Sequence, residues 1–372
     1  MKDTLRVLHI VQSMNSGGIE TVLMNFYRNI NRDNIQFDFL LTSPEKCDYE
    51  DEIVKLGGNV FRMSPISISA PFQYLADVDR FFKEHTDYKI VHAHMSAVSA
   101  LPLYIAKKNN IPVRISHSHN NGSIGIKRLL KWILKFPLKS VSNNYFACSV
   151  EAANFLYGKW FFGNRNCYLL KNAIDAQSYV YNPAIRSQIR KQYNIDSKIV
   201  IGHVGRFNRV KNHGFILDVF KSIHEINPDS VLMLVGDGDL RVKIQEKISA
   251  LGFADSVILT GLVQNVPDYL QAMDIYLFPS LIEGLGMSLI EAQSAGLHCF
   301  ASDTIPKESA VTDLVKFISL SENPGVWADK ILKLDNKYER TDTLLQVQSA
   351  GYDVKTSSKW LEDFYITKNN EC

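Results

Sequence analysis

Glu283 and Glu291 stand eight residues apart in the segment EGLGMSLIE, with two glycines and a short apolar run between them. Both carboxylates must lose water if the segment is buried, so the spacing asks for a chemical reason. The apolar DIYLFPS (274–280) reads as a buried strand and MSLIEAQSAG as a helix. Glu283 then falls in the loop between them and Glu291 within the helix. The turn GLGMS offers the N–H groups of Gly286, Met287 and Ser288 at the helix start, where the dipole attracts an anion. A carboxylate that accepts from two vicinal hydroxyls binds a ribose or another sugar. Two of them flanking a phosphate site would grip both ends of a nucleotide-sugar. The plainer account is one Glu stabilising a helix start and one exposed helical Glu, both common.

Two further stretches carry similar chemistry. GRFNRVKN (205–212) follows an apolar run and places Arg206 and Lys211 in a loop that enters a helix. A planar guanidinium and a compact ammonium beside helix-start N–H groups suit a diphosphate; alone, the pair reads equally as solvated surface charge. QSMNSGGIE puts Gly17 and Gly18 before a helix, which lets a phosphate approach the backbone, although such a pair is more often simply a turn. VGDGDL (235–240) lacks the third glycine of GxGxxG, and GxxxxGK[ST] does not occur. Neither a dinucleotide dehydrogenase nor a P-loop enzyme has its fingerprint here.

These loops need a scaffold. The 372 residues exceed one ordinary core, so two domains are expected. Apolar content of 46% and charged content of 22% are those of a globular protein, and a net charge of +2 gives no global signal for nucleic acid. Five scattered cysteines without CxxC pairing fit a reducing cytosol and argue against a disulfide framework or a zinc site. No Asp/His cluster with metal-ligand spacing stands out. The N-terminus does not read as a signal peptide, since Arg6 splits its apolar run, and no run of about 18 apolar residues suggests a membrane span.

Strand-like segments at 5–11, 37–42, 59–63, 89–94, 112–119 and 144–149 alternate with helical patterns, and the alternation restarts at 197–205, 231–236, 256–261, 274–280 and 297–302. This implies an α/β fold of two doubly wound domains facing each other across a cleft, with a boundary near 171–183. Ligands bind beyond the carboxyl ends of strands in such sheets, which is where the loops above fall.

In combination, these segments resemble the retaining GT-B glycosyltransferases of family 4, of the capsular or exopolysaccharide type, over essentially the whole chain. PSLIEGLGMSLIEAQSAG matches that family's P-S-x-x-E-G-x-G-x-x-x-x-E-A-x-x-x-G pattern, GRFNRVKN its diphosphate loop and SGGIE its N-terminal Gly-Gly loop. LVGDGDLR and LTGLVQNVPDYLQAMDIYLFPS match its donor-domain strands in order. The resemblance implies two Rossmann-like domains, 1–172 for the acceptor and 173–350 for the donor, and a C-terminal helix, 351–372, returning to the first. It implies that Glu291 binds the ribose hydroxyls, Glu283 the transferred sugar, and Arg206 and Lys211 the diphosphate. Backbone at Gly17, Gly18, Gly286, Met287 and Ser288 assists, and the nucleobase lies near Val263. A histidine after the fifth strand usually touches the donor sugar in this family. SHSH offers His117 and His119 on one face of a strand, with His119 nearer its end, while His92 and His94 in VHAH are weaker candidates. No metal or other cofactor is implied. The nucleotide-sugar, with UDP as the expected nucleotide, is a substrate, and transfer proceeds with retention to a glycan or lipid-linked oligosaccharide.

Two other classes fit less well. A GT-B-type nucleotide-sugar epimerase would not be expected to carry Glu283 and Glu291 with this loop set, and intact Glu283, Arg206, Lys211 and Glu291 argue against a non-catalytic nucleotide-sugar binding subunit. One last feature concerns location. IKRLLKWILKFPLK (126–139) spaces Lys127, Lys131, Lys135 and Lys139 every four residues, with Arg128 beside the first; Tyr88 to Val150 holds nine Lys/Arg and no acid. A basic helix with Trp and Leu on its other face can lie on an anionic membrane surface. An ordinary sheet-packing helix with solvated lysines, ended by Pro137, has nearly equal claim. The expectation is a cytoplasmic enzyme that visits the membrane face without spanning it.

Overall fold

The computed structural model describes residues 4–15, 17–66, 71–119, 128–334 and 339–372, the side chains of 71 and 128–132 excepted. Two compact units emerge: Met1–Ile174 with Gly351–Cys372, and Asp175–Ala350. The chain changes unit after Ile174, two residues beyond the expected position.

The first unit is built on a seven-stranded parallel sheet: β1 (Leu5–Val11), β2 (Ile35–Leu41), β3 (Val60–Arg62), β4 (Ile90–Ala93), β5 (Val113–Ser118), β6 (Asn144–Ala147) and β7 (Cys167–Leu169), ordered β3-β2-β1-β4-β5-β6-β7. The inner strands are nearly all apolar because helices cover both faces. Along β1, Leu8 and Ile10 enter one core and Val7 and Val11 the other. The helix Gly18–Asn29 begins at once after the β1 loop and buries Val22, Leu23, Phe26 and Tyr27, one stripe at helical spacing. The terminal helix Val354–Asn370 is capped by Asp353, whose carboxylate accepts from Thr356 N–H at 3.1 Å. Its Leu361, Phe364 and Tyr365 join Phe37 and Phe146 over the same face of the sheet.

The second unit repeats the plan with six parallel strands: β8 (Ile199–Val204), β9 (Ser230–Val235), β10 (Val257–Gly261), β11 (Ile275–Phe278), β12 (His298–Ser302) and β13 (Val315–Ile318), ordered β10-β9-β8-β11-β12-β13. In each sheet the strand order reverses beside the first strand, between β1 and β4 and between β8 and β11. The crevice at the carboxyl ends there is the ligand position of doubly wound sheets.

Three elements differ from expectation. Pro137 does not end its helix, which runs Arg128–Val141 with Pro137 inside. Leu138 and Val141 beyond it are buried in the core, so packing holds the last turn despite the missing N–H. The edge strands β7 and β13 carry no sequence signal, being three and four residues long and only partly buried. Among the described residues no helix is long and apolar enough to cross a membrane.

Candidate active site

The second unit gathers most of the candidate residues around the β8/β11 reversal. The loop 205–212 leaves β8 and the loop 279–286 leaves β11, and they are tied together: Leu281 N–H donates to Val210 O at 2.8 Å and the Asn212 amide to Pro279 O at 3.2 Å. The β9 loop closes on the same place, with Phe207 N–H donating to Asp237 O at 2.8 Å. Gly236 has φ +137°, and a Cβ there would strike the carbonyl of Gly205. The glycines of VGDGDL thus permit backbone contact between loops, which is a different task from a dinucleotide turn.

Lys211 and Glu283, 72 residues apart in sequence, form an ion pair at 2.8 Å, and both side chains are largely buried. The ammonium also sits 4.8 Å from the centre of the Phe278 ring. Such a pair concentrates one cation and one carboxylate where little water screens them. Gly286 takes the left-handed conformation (φ 80°, ψ 60°) and starts the helix Met287–Ser294 without a side-chain cap. The helix-start N–H groups therefore have no local acceptor from the N-cap side chain, and the buried Ser288 hydroxyl beside them lacks a well-formed protein partner.

Glu291 lies one turn further along. Burial pushes its carboxyl up to about 7, against the opposing pull of the Lys211 charge and a hydrogen bond from Tyr179. Tyr179 itself is raised well above the ordinary phenol range, by burial first and the Glu291 charge second. Arg206 is two-thirds exposed and reaches Asp239 at only 3.4 Å, so its guanidinium is loosely held. Val263 is half-buried just beyond the end of β10 and packs on the β8/β11 core.

In the first unit, Gly17 is the extended N-cap (φ −144°) and Gly18 the first residue of the helix after β1. His117 and His119 lie at the end of β5 and are buried, but they are not alone. His9 Nδ1 is 3.0 Å from His94 Nε2, His94 Nδ1 is 2.9 Å from His119 Nε2, and His92 Nε2 is 3.1 Å from His117 Nδ1. His92 Nδ1 meets the Tyr365 hydroxyl at 2.6 Å. Burial holds all five imidazoles below their ordinary value, His9 to about 3 and His119 to about 4. Two triads, His9/His92/His94 and His94/His117/His119, bring ring nitrogens within 4.8 Å of one another, close enough to hold a metal ion. Sequence reading weighed four of these histidines singly and missed His9. The signal was available in their common strand phase, but grouping them requires knowing that β1, β4 and β5 are neighbours. Tyr179 had no signal at all.

The basic segment is partly described. Lys127 lies outside the described residues, and the side chains of Arg128 and Lys131 are not described. Lys135 turns its ammonium onto Phe155, donating to the Phe155 carbonyl and lying 3.8 Å from the ring centre. It is engaged with the domain itself.

The pattern described as Glycosyltransferase Family 4 matches residues 16–178, and that described as Glycosyl transferases group 1 matches 185–345. EpsF, a putative glycosyltransferase of Bacillus subtilis (strain 168), is 34% identical over 334 residues, spanning 88% of this chain and 87% of its own. This chain belongs to glycosyltransferase family 4. CapH of Staphylococcus aureus, a capsular polysaccharide biosynthesis glycosyltransferase, is 27% identical over 98% of this chain and 99% of its own length. The crystal structure of Anabaena HepE in complex with UDP superposes with a TM-score of 0.79, covering 98% of this chain and 100% of that one at 17% identity. This glycosyltransferase thus has the GT-B fold of two Rossmann-like units, and the ion-paired loops of its second unit fall within the group 1 match.

Proposed function

We propose that this glycosyltransferase moves a sugar from a UDP-sugar to a glycan or lipid-linked oligosaccharide, with retention, in the synthesis of a surface polysaccharide. The observation that carries the donor reading is the Lys211–Glu283 pair at 2.8 Å beside the uncapped helix start at Gly286, with Glu291 one turn on. CapH and UDP-bound HepE lend the polysaccharide context and the nucleotide.

In this reading Glu291 accepts from the ribose hydroxyls, and Glu283 from a hydroxyl of the transferred sugar. Lys211, Arg206 and the N–H groups of Gly286, Met287 and Ser288 face the diphosphate, the nucleobase lies by Val263, and the Gly17–Gly18 turn and His119 belong to the donor site from the first unit. The bond from the anomeric carbon to the diphosphate oxygen breaks through an oxocarbenium-like state. The acceptor oxygen bonds to the same face of that carbon, and its proton passes to the departing phosphate oxygen. Negative charge grows on the diphosphate, and Lys211 exchanges part of its attraction for Glu283 with that charge as it develops. The step so written uses no metal. Contact with an anionic membrane through Lys127, Arg128 and Lys131 would bring a lipid-linked acceptor within reach.

A panel of nucleotide-sugars tests this by thermal shift and then by transfer. The true donor at a hundred times its dissociation constant adds about 2.7 kcal/mol of stability. Stabilisation by a UDP-sugar, with an axial-donor sugar appearing in an axial product, is expected. No stabilisation by any nucleotide-sugar, or an inverted product, contradicts the reading.

A further inference from the structure

The histidine chain of the first unit has a directional logic. A neutral imidazole carries one N–H and one lone pair, so a ring hydrogen-bonded through both nitrogens must donate with one and accept with the other. His94 is such a ring, with His9 Nδ1 at 3.0 Å on one side and His119 Nε2 at 2.9 Å on the other. The residue is anchored between strands, its backbone N–H donating to Ile10 O at 2.9 Å. The chain therefore runs in one sense from end to end, and the proton position at His9 dictates the proton position at His119. Fully buried and desolvated, the rings stay neutral, so the rule is not broken by an added proton.

Both ends of the chain are open, for His9 Nε2 at the inner end is also buried without a hydrogen-bond partner, so its sense is set where His119 faces Asn172. His119 Nδ1 and Asn172 Oδ1 are both buried, neither has a well-formed protein partner, and the two side chains are close enough to interact. Both follow the carboxyl ends of strands, β5 and β7. A buried polar atom without a partner costs about 1–3 kcal/mol, and two such atoms at a strand end mark a place for a ligand hydroxyl.

We propose that His94 is a positioning residue: its Nδ1 meets His119 Nε2 and so holds His119 in the tautomer whose Nδ1–H faces Asn172 Oδ1, and those two side chains together receive a hydroxyl of the bound sugar. This rests on the reading of His119 as a donor-site residue. His94 touches no substrate and acts through His119 alone.

The test reads the His119 tautomer directly, by nitrogen-15 NMR of the full-length protein with labelled histidine. In the wild type, the two His119 nitrogens should report a single tautomer without substrate. His94→Phe keeps the bulk and removes both hydrogen bonds; His119 should then average between tautomers. Turnover should fall about tenfold or more, while affinity for UDP, held by the second unit, stays as it was. His94→Asn, which can still meet His119, should restore turnover to within about threefold of wild type. Should His94→Phe fail to fold, His9→Phe serves, since His9 already packs on Phe37 with ring centres 4.1 Å apart. It should loosen the His119 tautomer two rings away, which simple packing would not do. An unaltered tautomer in the folded variants, or unchanged turnover, returns His94 to a packing role and overturns the proposal. Stoichiometric zinc binding to the wild type that is lost in His94→Phe also overturns it, because a metal would occupy the nitrogens the chain needs. Unchanged transfer by His119→Ala instead sinks the donor-site reading, and the tautomer measurement, which needs no substrate, still judges the chain by itself.

Discussion

At the scale of single residues, the account rests on charges placed where a leaving diphosphate would gain its own. Lys211 is largely buried and fixed by Glu283, whereas Arg206 is two-thirds exposed and loosely held. Lys211→Ala should therefore lower turnover on the order of 10²-fold, and Arg206→Ala by less, with both variants folded; steady-state kinetics of sugar transfer checks the ranking, and unchanged turnover in Lys211→Ala would return it to a structural ion pair. Glu291 adds a pH dependence. Burial raises its carboxyl to about 7, and ribose hydroxyls are best accepted by the ionised form. Affinity for a nucleoside diphosphate should then weaken as pH falls below about 7, by up to tenfold per unit, and Glu291→Gln should lose that dependence. Titration calorimetry at pH 8, 7 and 6 on both proteins isolates the effect from the phosphate's own ionisation. The acidic and basic residues were readable because each motif is contiguous. Tyr179, His9 and Asn172 were not, because their places come from neighbours far away in sequence.

At the scale of elements, strand–loop–helix order was legible wherever a strand is buried on both faces, since such strands are unbroken apolar runs. It failed at β7 and β13, where CYL and VKFI at the sheet edges are short and half-wet. It also failed at Pro137, where burial of Leu138 and Val141 outweighs a local helix breaker. That helix carries the membrane proposal, and two of its lysines have described contacts: Lys139 lies 4.9 Å from the Trp160 ring centre, and Lys135 is engaged with Phe155, so Lys135→Glu tests folding more than lipid binding. Lys127→Glu with Lys131→Glu, checked for an unchanged melting temperature, is the variant to compare. Each basic residue near an anionic surface contributes about 1 kcal/mol, so this pair should sharply reduce co-sedimentation with vesicles containing anionic lipid at low salt. Equal sedimentation of wild type and variant would leave the helix as an ordinary part of the domain.

At the scale of the whole molecule, the two sheets share one strand order but differ in what they bury. The first holds five neutral histidines under its terminal helix. Desolvation lowers His9 to about 3 and His119 to about 4, from about 6.5 in an unfolded chain. Between those values the unfolded chain binds protons that the folded one refuses. Stability is therefore full above pH 6.5 and declines as pH falls, by about 1.4 kcal/mol per unit for each of these groups. Calorimetric melting of this unit should drop by about 10 °C between pH 7 and 5.5, and less in His9→Phe; a flat profile would mean the rings are not buried neutral. In the proposed function, the second unit holds a nucleotide-sugar by two carboxylates with separate tasks. Binding of UDP alone, measured by titration calorimetry on Glu291→Gln and Glu283→Gln, tests that most directly. The account predicts about tenfold or greater weakening in Glu291→Gln, which loses the ribose, and near wild-type affinity in Glu283→Gln, whose sugar is absent from the titration. Equal losses in the two variants, or none in Glu291→Gln, would contradict it.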